Sequence, residues 1–439
     1  MQDLAQLPVS NQQVEARDEM DIIIVALGSR GDVLPCAALG RALREAGHHV
    51  CFATFAGFES LVSARGLAFQ PVRGDAQAIM LGSGGQALAQ SGQSVVRMMA
   101  GVMRSFGALA QDYARDLSAL ASQPADLVVN QLPGGLYGHD LAEKLGVPMV
   151  AAAVMPLVPT RSQPMLAFPH WPSALPGYNL LTHWLAYQLV WQAFRPTINR
   201  WRQDALGLKK VPLRGIFRET RESIPVLNGF SAGVVPRPHD WGQQVHTTGY
   251  WFPDNADWQP PDDLLRFLDD GPPPVFAGFG SMPLRDADRV TDLVLEALRQ
   301  SGQRGIVHAG WGGVGRRALP EWAYGLDYAP YGWLFPRMAA LIHHGGSGTT
   351  AFGLRSGVPA VVVPFLFDQF YWGRRIVDLG VGPAPVPFGK LSAGRLADAV
   401  RAATADGGMK ERAQRLGREI QGEDGLGSAV RVLEGLVPG

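Results

Sequence analysis

The chain has 439 residues, 46% hydrophobic and 18% charged, a globular composition long enough for two or three domains. Its 39 basic residues balance 39 acidic ones, so no excess of positive charge points to nucleic acid as a partner. Two cysteines, Cys36 and Cys51, are too few for a disulfide framework and point to a reducing, cytoplasmic setting.

Residues 1–19 mix charged and polar types without the apolar stretch of an export signal, and the expectation is a disordered extension. Order starts at Met20. DIIIVAL (21–27) reads as a buried strand, GSRGDVLP (28–35) as the turn after it and PCAALGRALREAG (35–47) as a helix stopped by Gly47. HHVCFATF (48–55) is the next strand, and this strand–helix–strand order predicts a parallel sheet. Residues 79–107, rich in Gly, Met and Ser, read as a mobile loop followed by an amphipathic helix. ADLVVNQ (125–131) is a strand, GLYGHDLAEKLG (135–146) a helix closed by Gly146, and VPMVAAAV (147–154) a strand. Trp184, Tyr187, Trp191 and Phe194 recur on one helical stripe, which suits core packing, the wall of a large apolar site or a membrane surface. Met98, Met99 and Met103 are adaptable apolar lining or plain core. The longest apolar runs are too short and too Pro-broken to span a bilayer, so membrane contact is at most peripheral.

GYWFPDNADWQPPDD (249–263), dense in Pro, Asp and Trp, reads as a linker between two halves. A second series of strands and helices follows: PPVFAGFGS (273–281), DRVTDLVLEALRQSG (288–302), RGIVHAG (304–310), AALIHH (339–344), GTTAFGLRSG (348–357) and PAVVVP (359–364). The expected fold is α/β, with two doubly wound Rossmann-like domains facing each other across a cleft. In such sheets ligands bind beyond the carboxyl ends of the strands, so GSRGD and HHGGSG would open into the same cleft.

Five local patterns bear on chemistry. In HHGGSGTT (343–350) a strand ends in a glycine-rich turn that opens a helix, and the free N–H groups and partial positive charge there suit a phosphate. His343, Ser347 and Thr349 add side-chain donors, yet no Lys-Ser/Thr pair makes this an ATP-cradling loop. Asp368 and Gln369, after the next strand, can hydrogen-bond vicinal sugar hydroxyls, or Asp368 can cap a helix. GFGSM (278–282) is either a turn or a ligand contact through Ser281. GWGGVG (310–315) matches a dinucleotide fingerprint, but Pro320 breaks the helix that would follow and no acid sits about 20 positions on. Asp286 and Asp288 have the spacing of a metal-holding pair and read instead as acids at a helix start. No CxxC or HExxH spacing appears, and no metal site is expected.

HHGGSGTT followed by GVPAVVVPFLFDQ (357–369) resembles the nucleotide-sugar signature of family 1 glycosyltransferases of the GT-B fold. GSRGDVLP, GYWFPD, GFGSM, WLFPR (333–337) and ALGL (205–208) are most similar to the sterol 3-β-glucosyltransferase branch and its bacterial natural-product relatives, over residues 20–435. The resemblance implies an acceptor-binding domain at 20–245, a linker at 246–262, a nucleotide-sugar domain at 263–415 and a helical tail at 416–439. It implies that His343 lies near the donor diphosphate and that Gly345, Gly346, Ser347, Gly348 and Thr349 wrap it. Asp368 and Gln369 would read sugar hydroxyls, Ser281 would floor the cleft and Trp333 would hold the base. Gly28, Ser29, Arg30 and Gly31 would form the turn at the cleft, and Asp32 stands where many relatives carry a catalytic histidine. Met98, Met99, Met103, Trp184 and Trp191 are the expected acceptor contacts. The function implied is an inverting, metal-independent transfer of a hexose, from UDP-glucose as a co-substrate, to a hydroxyl of a steroid, polyketide or lipid, with no separate cofactor. A TDP-deoxysugar donor, or a non-catalytic nucleotide-sugar-binding protein on the same fold, are the alternatives.

Overall fold

The computed structural model describes residues 19–89, 94, 97, 100–101, 109–132, 137–170, 176–253 and 258–437. Met98, Met99 and Met103 lie outside the described residues, as do 1–18 of the expected extension. Two all-parallel sheets organise the rest. The first contains β1 (Asp21–Val25), β2 (His49–Phe55), β3 (Ala68–Val72), β4 (Leu127–Leu132), β5 (Met149–Ala153), β6 (Val226–Asn228) and β7 (Val245–Thr247), in the order β3-β2-β1-β4-β5-β6-β7. The second contains β8 (Val275–Gly278), β9 (Gly305–His308), β10 (Ala323–Leu326), β11 (Ala340–His343) and β12 (Ala360–Val362), in the order β10-β9-β8-β11-β12.

The continuous apolar runs make sense because both faces of each sheet are covered. In β1, Ile22 and Ile24 pack with Leu39 and Leu43 of α1 (Arg30–Glu45), while Ile23 and Val25 pack on the other face with Tyr113, Leu141 and Trp191. The second sheet repeats the device. Val275 and Ala277 of β8 meet Val294 and Leu298 of the helix Ala287–Ser301, and Phe276 faces the opposite cluster. Asp286 caps that helix, accepting from the Arg289 amide at 2.9 Å, in line with the capping reading.

Each sheet reverses its strand order once, at β1/β4 and at β8/β11. A crevice forms where successive connections leave in opposite directions. The two crevices face one another. The N-terminus of α1 meets the N-terminus of the helix Ser347–Ser356, so closely that a methyl on Gly348 would lie 3.8 Å from Gly31 Cα.

Two segments depart from a simple split into halves. Tyr250 and Trp251 of the expected linker are buried, Trp251 beneath the helix Gly425–Glu434. That last helix returns to the first sheet, where Ala429, Val430 and Leu433 join the cluster of Ile22, Ile24 and Leu39. The helix before it, Gly407–Gln421, runs continuously through position 415 and packs its Ala413 and Leu416 with the second half.

Candidate active site

Between the facing crevices lies a cavity of about 960 Å³ lined by both halves. Its wall contains Gly28–Asp32 from the first sheet and Gly280, Ser281, Gly346–Thr349 and Asp368 from the second.

Helix α1 begins earlier than the sequence suggests, so Asp32 sits in its first turn as the third residue. Ser29 is the cap. The Ser29 amide and hydroxyl both donate to Asp32 Oδ2, at 2.8 and 2.9 Å. Oδ1 faces Gln131 Nε2 at 3.4 Å. Burial pushes the Asp32 carboxyl above the ordinary range, and the Ser29 hydrogen bonds oppose that. Gly28, at φ +151°, lies so close to Asp32 that a methyl there would fall 2.5 Å from Oδ2.

Asp368 opens the helix Asp368–Asp378 and accepts from Trp372 Nε1 at 3.1 Å and from the Ser347 amide. Burial first, then the Asp32 charge, push its carboxyl up to about 7. The two acids therefore feel each other across the cleft. Gln369 also lines the cavity, but its Oε1 accepts from the Phe365 and Leu366 amides and its Nε2 contacts Met282 Sδ at 3.2 Å. Its acceptor oxygen is engaged in holding the turn.

The two histidines of the pair lie differently with respect to the cavity. His343 is fully buried, takes the Gly345 amide on Nδ1 at 3.0 Å and does not line the cavity. His344 does line it, packed beneath Gly280 and Gly346. Burial pushes the His344 imidazole down to about 4, so it faces the cavity neutral and can donate one hydrogen bond. Gly345, at φ +85°, packs against Val362 and the Gln369 backbone rather than into the cavity. Trp333 is also away from the cavity: its ring lies edge-on to Trp258 at 5.0 Å and under the Arg337 guanidinium at 4.2 Å. Aromatic rings that do line this side include Trp311, Tyr328, Tyr331 and Phe352. Tyr331 stacks on Phe335 at 4.3 Å and hydrogen-bonds the Thr349 hydroxyl. Arg30 reaches across from the first half and sits 5.5 Å from the Tyr328 ring centre.

On the other side the wall is apolar. Tyr187, Val190, Trp191 and Phe194, from the helix Tyr178–Trp201, line it. Trp191 is 9% exposed and its Nε1 donates to the Leu213 carbonyl at 2.9 Å. Trp184 is on the outer face, 43% exposed, in a row with Leu181, Leu185 and Leu189. It does not line the cavity, because the stripe 184-187-191-194 is wide enough to straddle the helix edge. Among the described residues, His139, Asp140 and Glu143 converge within the reach of a metal ion. The Arg202 guanidinium already occupies that convergence, at 2.5 Å from Asp140 and 2.9 Å from Glu143. GWGGVG forms a turn in which Trp311 N donates to Gly280 O at 2.9 Å, which builds the cleft rather than a dinucleotide site.

Comparison with known proteins agrees with this architecture. Residues 22–164 match the glycosyltransferase family 28 N-terminal domain, and residues 295–429 match the erythromycin biosynthesis protein CIII-like C-terminal domain. Sterol 3-beta-glucosyltransferase UGT80B1 of Arabidopsis thaliana is 37% identical over 94% of this chain and 67% of its own length. UGT80A2 of the same plant is 35% identical over 94% of this chain and 65% of its own. A Cryptococcus neoformans sterol 3-beta-glucosyltransferase is 34% identical over 95% of this chain but only 27% of its own length, so the chain spans a part of these longer relatives. Among solved structures, the glycosyltransferase of kitacinnamycin superposes with a TM-score of 0.69 at 19% identity, over 96% of this chain and 100% of that one. The Streptomyces sp. SF2575 glycosyltransferase SsfS6, complexed with thymidine diphosphate, gives 0.63 at 21%, over 95% and 99%. With its two facing parallel-sheet domains and this degree of identity to the plant enzyme, the chain belongs to the sterol 3-beta-glucosyltransferase family and has the GT-B fold.

Proposed function

We propose that this protein is an inverting, metal-independent hexosyltransferase that moves glucose from UDP-glucose to a hydroxyl of a lipophilic acceptor, a steroid, polyketide or lipid. In this reading the first half takes the acceptor and the second the nucleotide sugar. One observation carries it: the Asp32 carboxylate stands at the junction of an apolar chamber and a glycine turn that opens a helix.

The acceptor oxygen attacks the anomeric carbon as the bond to the diphosphate oxygen breaks. Asp32 takes the hydroxyl proton on Oδ1, since Oδ2 is held by Ser29. An alcohol is a weak acid, so the proton moves late, as the new bond forms; such general-base help contributes about 10²–10⁴-fold. The departing diphosphate gains negative charge beside the N-terminus of the helix Ser347–Ser356, where the amides of Gly348 and Thr349 and the neutral His344 can donate. Asp368 accepts from sugar hydroxyls. In this reading contact with a lipid surface is at most peripheral; no described helix is long and apolar enough to cross a membrane.

The test is mass spectrometry of reactions with UDP-glucose, TDP-glucose and TDP-rhamnose against a panel of sterols and polyketide alcohols. The expected product carries one added glucose in the anomeric configuration opposite to the donor's. Melting-temperature shifts with UDP but no product from any pair would mean a binding protein instead.

A further inference from the structure

Gln131 lies near the carboxyl end of β4, the strand beside β1 across the point where the strand order reverses. Its side chain is 0% exposed. Nε2 donates to the Leu132 carbonyl at 2.7 Å and directs its second hydrogen toward Asp32 Oδ1 at 3.4 Å. Oε1 has no partner among the described residues. The orientation of the amide follows from its neighbours: turning it over would set Oε1 against both the Leu132 carbonyl and the Asp32 carboxylate. A buried amide with an orphan oxygen is a costly choice for stability, and an apolar side chain of the same shape would avoid that cost. The contact with Asp32 is what an apolar side chain would lose.

We infer that Gln131 is a positioning residue that holds Oδ1 of Asp32 toward the acceptor hydroxyl. The inference rests on the reading of Asp32 as the general base. Ser29 fixes Oδ2 from the helix side, and Gln131 fixes Oδ1 from the sheet side, so the carboxylate plane cannot rotate. An N–H aimed at the carboxylate also favours its ionised form against the burial that opposes it. Among the described residues, the other titratable groups that feel the Asp32 charge are Asp368 across the cleft and Cys36 one turn along α1; Arg30 lies over the Tyr328 ring. The resting distance is long, and hydrogen bonds to a catalytic base commonly tighten only in the substrate complex.

The experiment measures kcat, the KM of each substrate and the pH profile of kcat/KM for Gln131→Met and Gln131→Glu, beside melting temperatures. For Gln131→Met, kcat falls about tenfold with both KM values unchanged, and the acid limb moves to higher pH while the melting temperature holds. For Gln131→Glu, turnover survives at acid pH, where the new carboxyl can still donate, and fails as it ionises beside Asp32. If Gln131→Met does not fold, the pH profile of Gln131→Glu decides alone. A drop in kcat with no movement of the acid limb, or wild-type behaviour in both variants, overturns the inference. Asp32→Asn run in parallel separates the two levels: near-normal turnover there removes the base itself, whereas its loss beside silent Gln131 variants removes only the positioning role.

Discussion

In the proposed mechanism Asp32 carries two roles in one carboxylate. Oδ2 accepts from the Ser29 cap of the helix, and Oδ1, which faces Gln131, is the atom proposed to take the acceptor's proton. Asparagine can reproduce the first role and cannot perform the second. Asp32→Asn should therefore keep its melting temperature and lose about 10²–10⁴-fold in kcat, measured by product formation at saturating donor and acceptor. Asp368 differs, because its carboxyl is pushed up to about 7. A native carboxyl raised above its unfolded value binds its proton more tightly than the unfolded chain does. Its contribution to stability is fully present below about pH 3.9 and is lost as pH rises through about 7. Asp368→Asn keeps an acceptor for Trp372 and removes the buried charge. The ligand-free variant should melt above wild type at pH 8 and show no advantage at pH 4, read from melting temperatures across that range.

At the scale of elements, the helix Tyr178–Trp201 works through two faces. Trp191 on the inner face is buried against the chamber, while Trp184 on the outer face is exposed. Trp191→Ala should raise the acceptor KM and cost about 3–5 kcal/mol of stability, whereas Trp184→Ala should stay within about 0.5 kcal/mol and leave KM unchanged. Denaturant melts and acceptor titrations would read both. The turn after β9 depends instead on a backbone approach. Gly310 has φ +52°, and a methyl on it would fall 2.4 Å from Gly280 O, the carbonyl that also takes the Trp311 amide. Gly310→Ala must push these two turns apart. We expect a loss of about 1–3 kcal/mol and weaker UDP binding by calorimetry, since Gly280 roofs His344.

On the scale of the whole molecule, the proposed mechanism handles charge at the cleft with opposed helix N-termini and neutral donors. The metal-like convergence of His139, Asp140 and Glu143 is filled by Arg202. Activity should therefore survive EDTA. Abolition by the chelator with rescue by Mg²⁺ or Mn²⁺ would contradict the proposed mechanism. The last helix, packed on the first sheet through Ala429 and Leu433, ties the chain's end to its beginning, so the two halves are held together by a second crossing besides the segment around Trp251.

Much of this was legible in the residues alone. Apolar runs of strand length such as DIIIV, separated by helices that stop at glycines, determined two parallel sheets, because burial on both faces demands continuous hydrophobicity. Glycine turns after strands marked which loops would face the cleft, since only they permit close backbone approach; Gly28, Gly280 and Gly346 all line it. The same double burial hid what remained. In β11 both faces are apolar, so nothing in the pattern could say that His344 and not His343 faces the cavity. Trp333 had an aromatic's promise but a helix position turned away, and Tyr331, two residues earlier, lines the cavity in its place. Gln131 stands 99 residues from Asp32, and only the pairing of β4 with β1 brings them together. Local pattern determined the elements and their turns; tertiary packing alone decided which side chain of each pair lines the cavity, because that choice depends on neighbours far away in the chain.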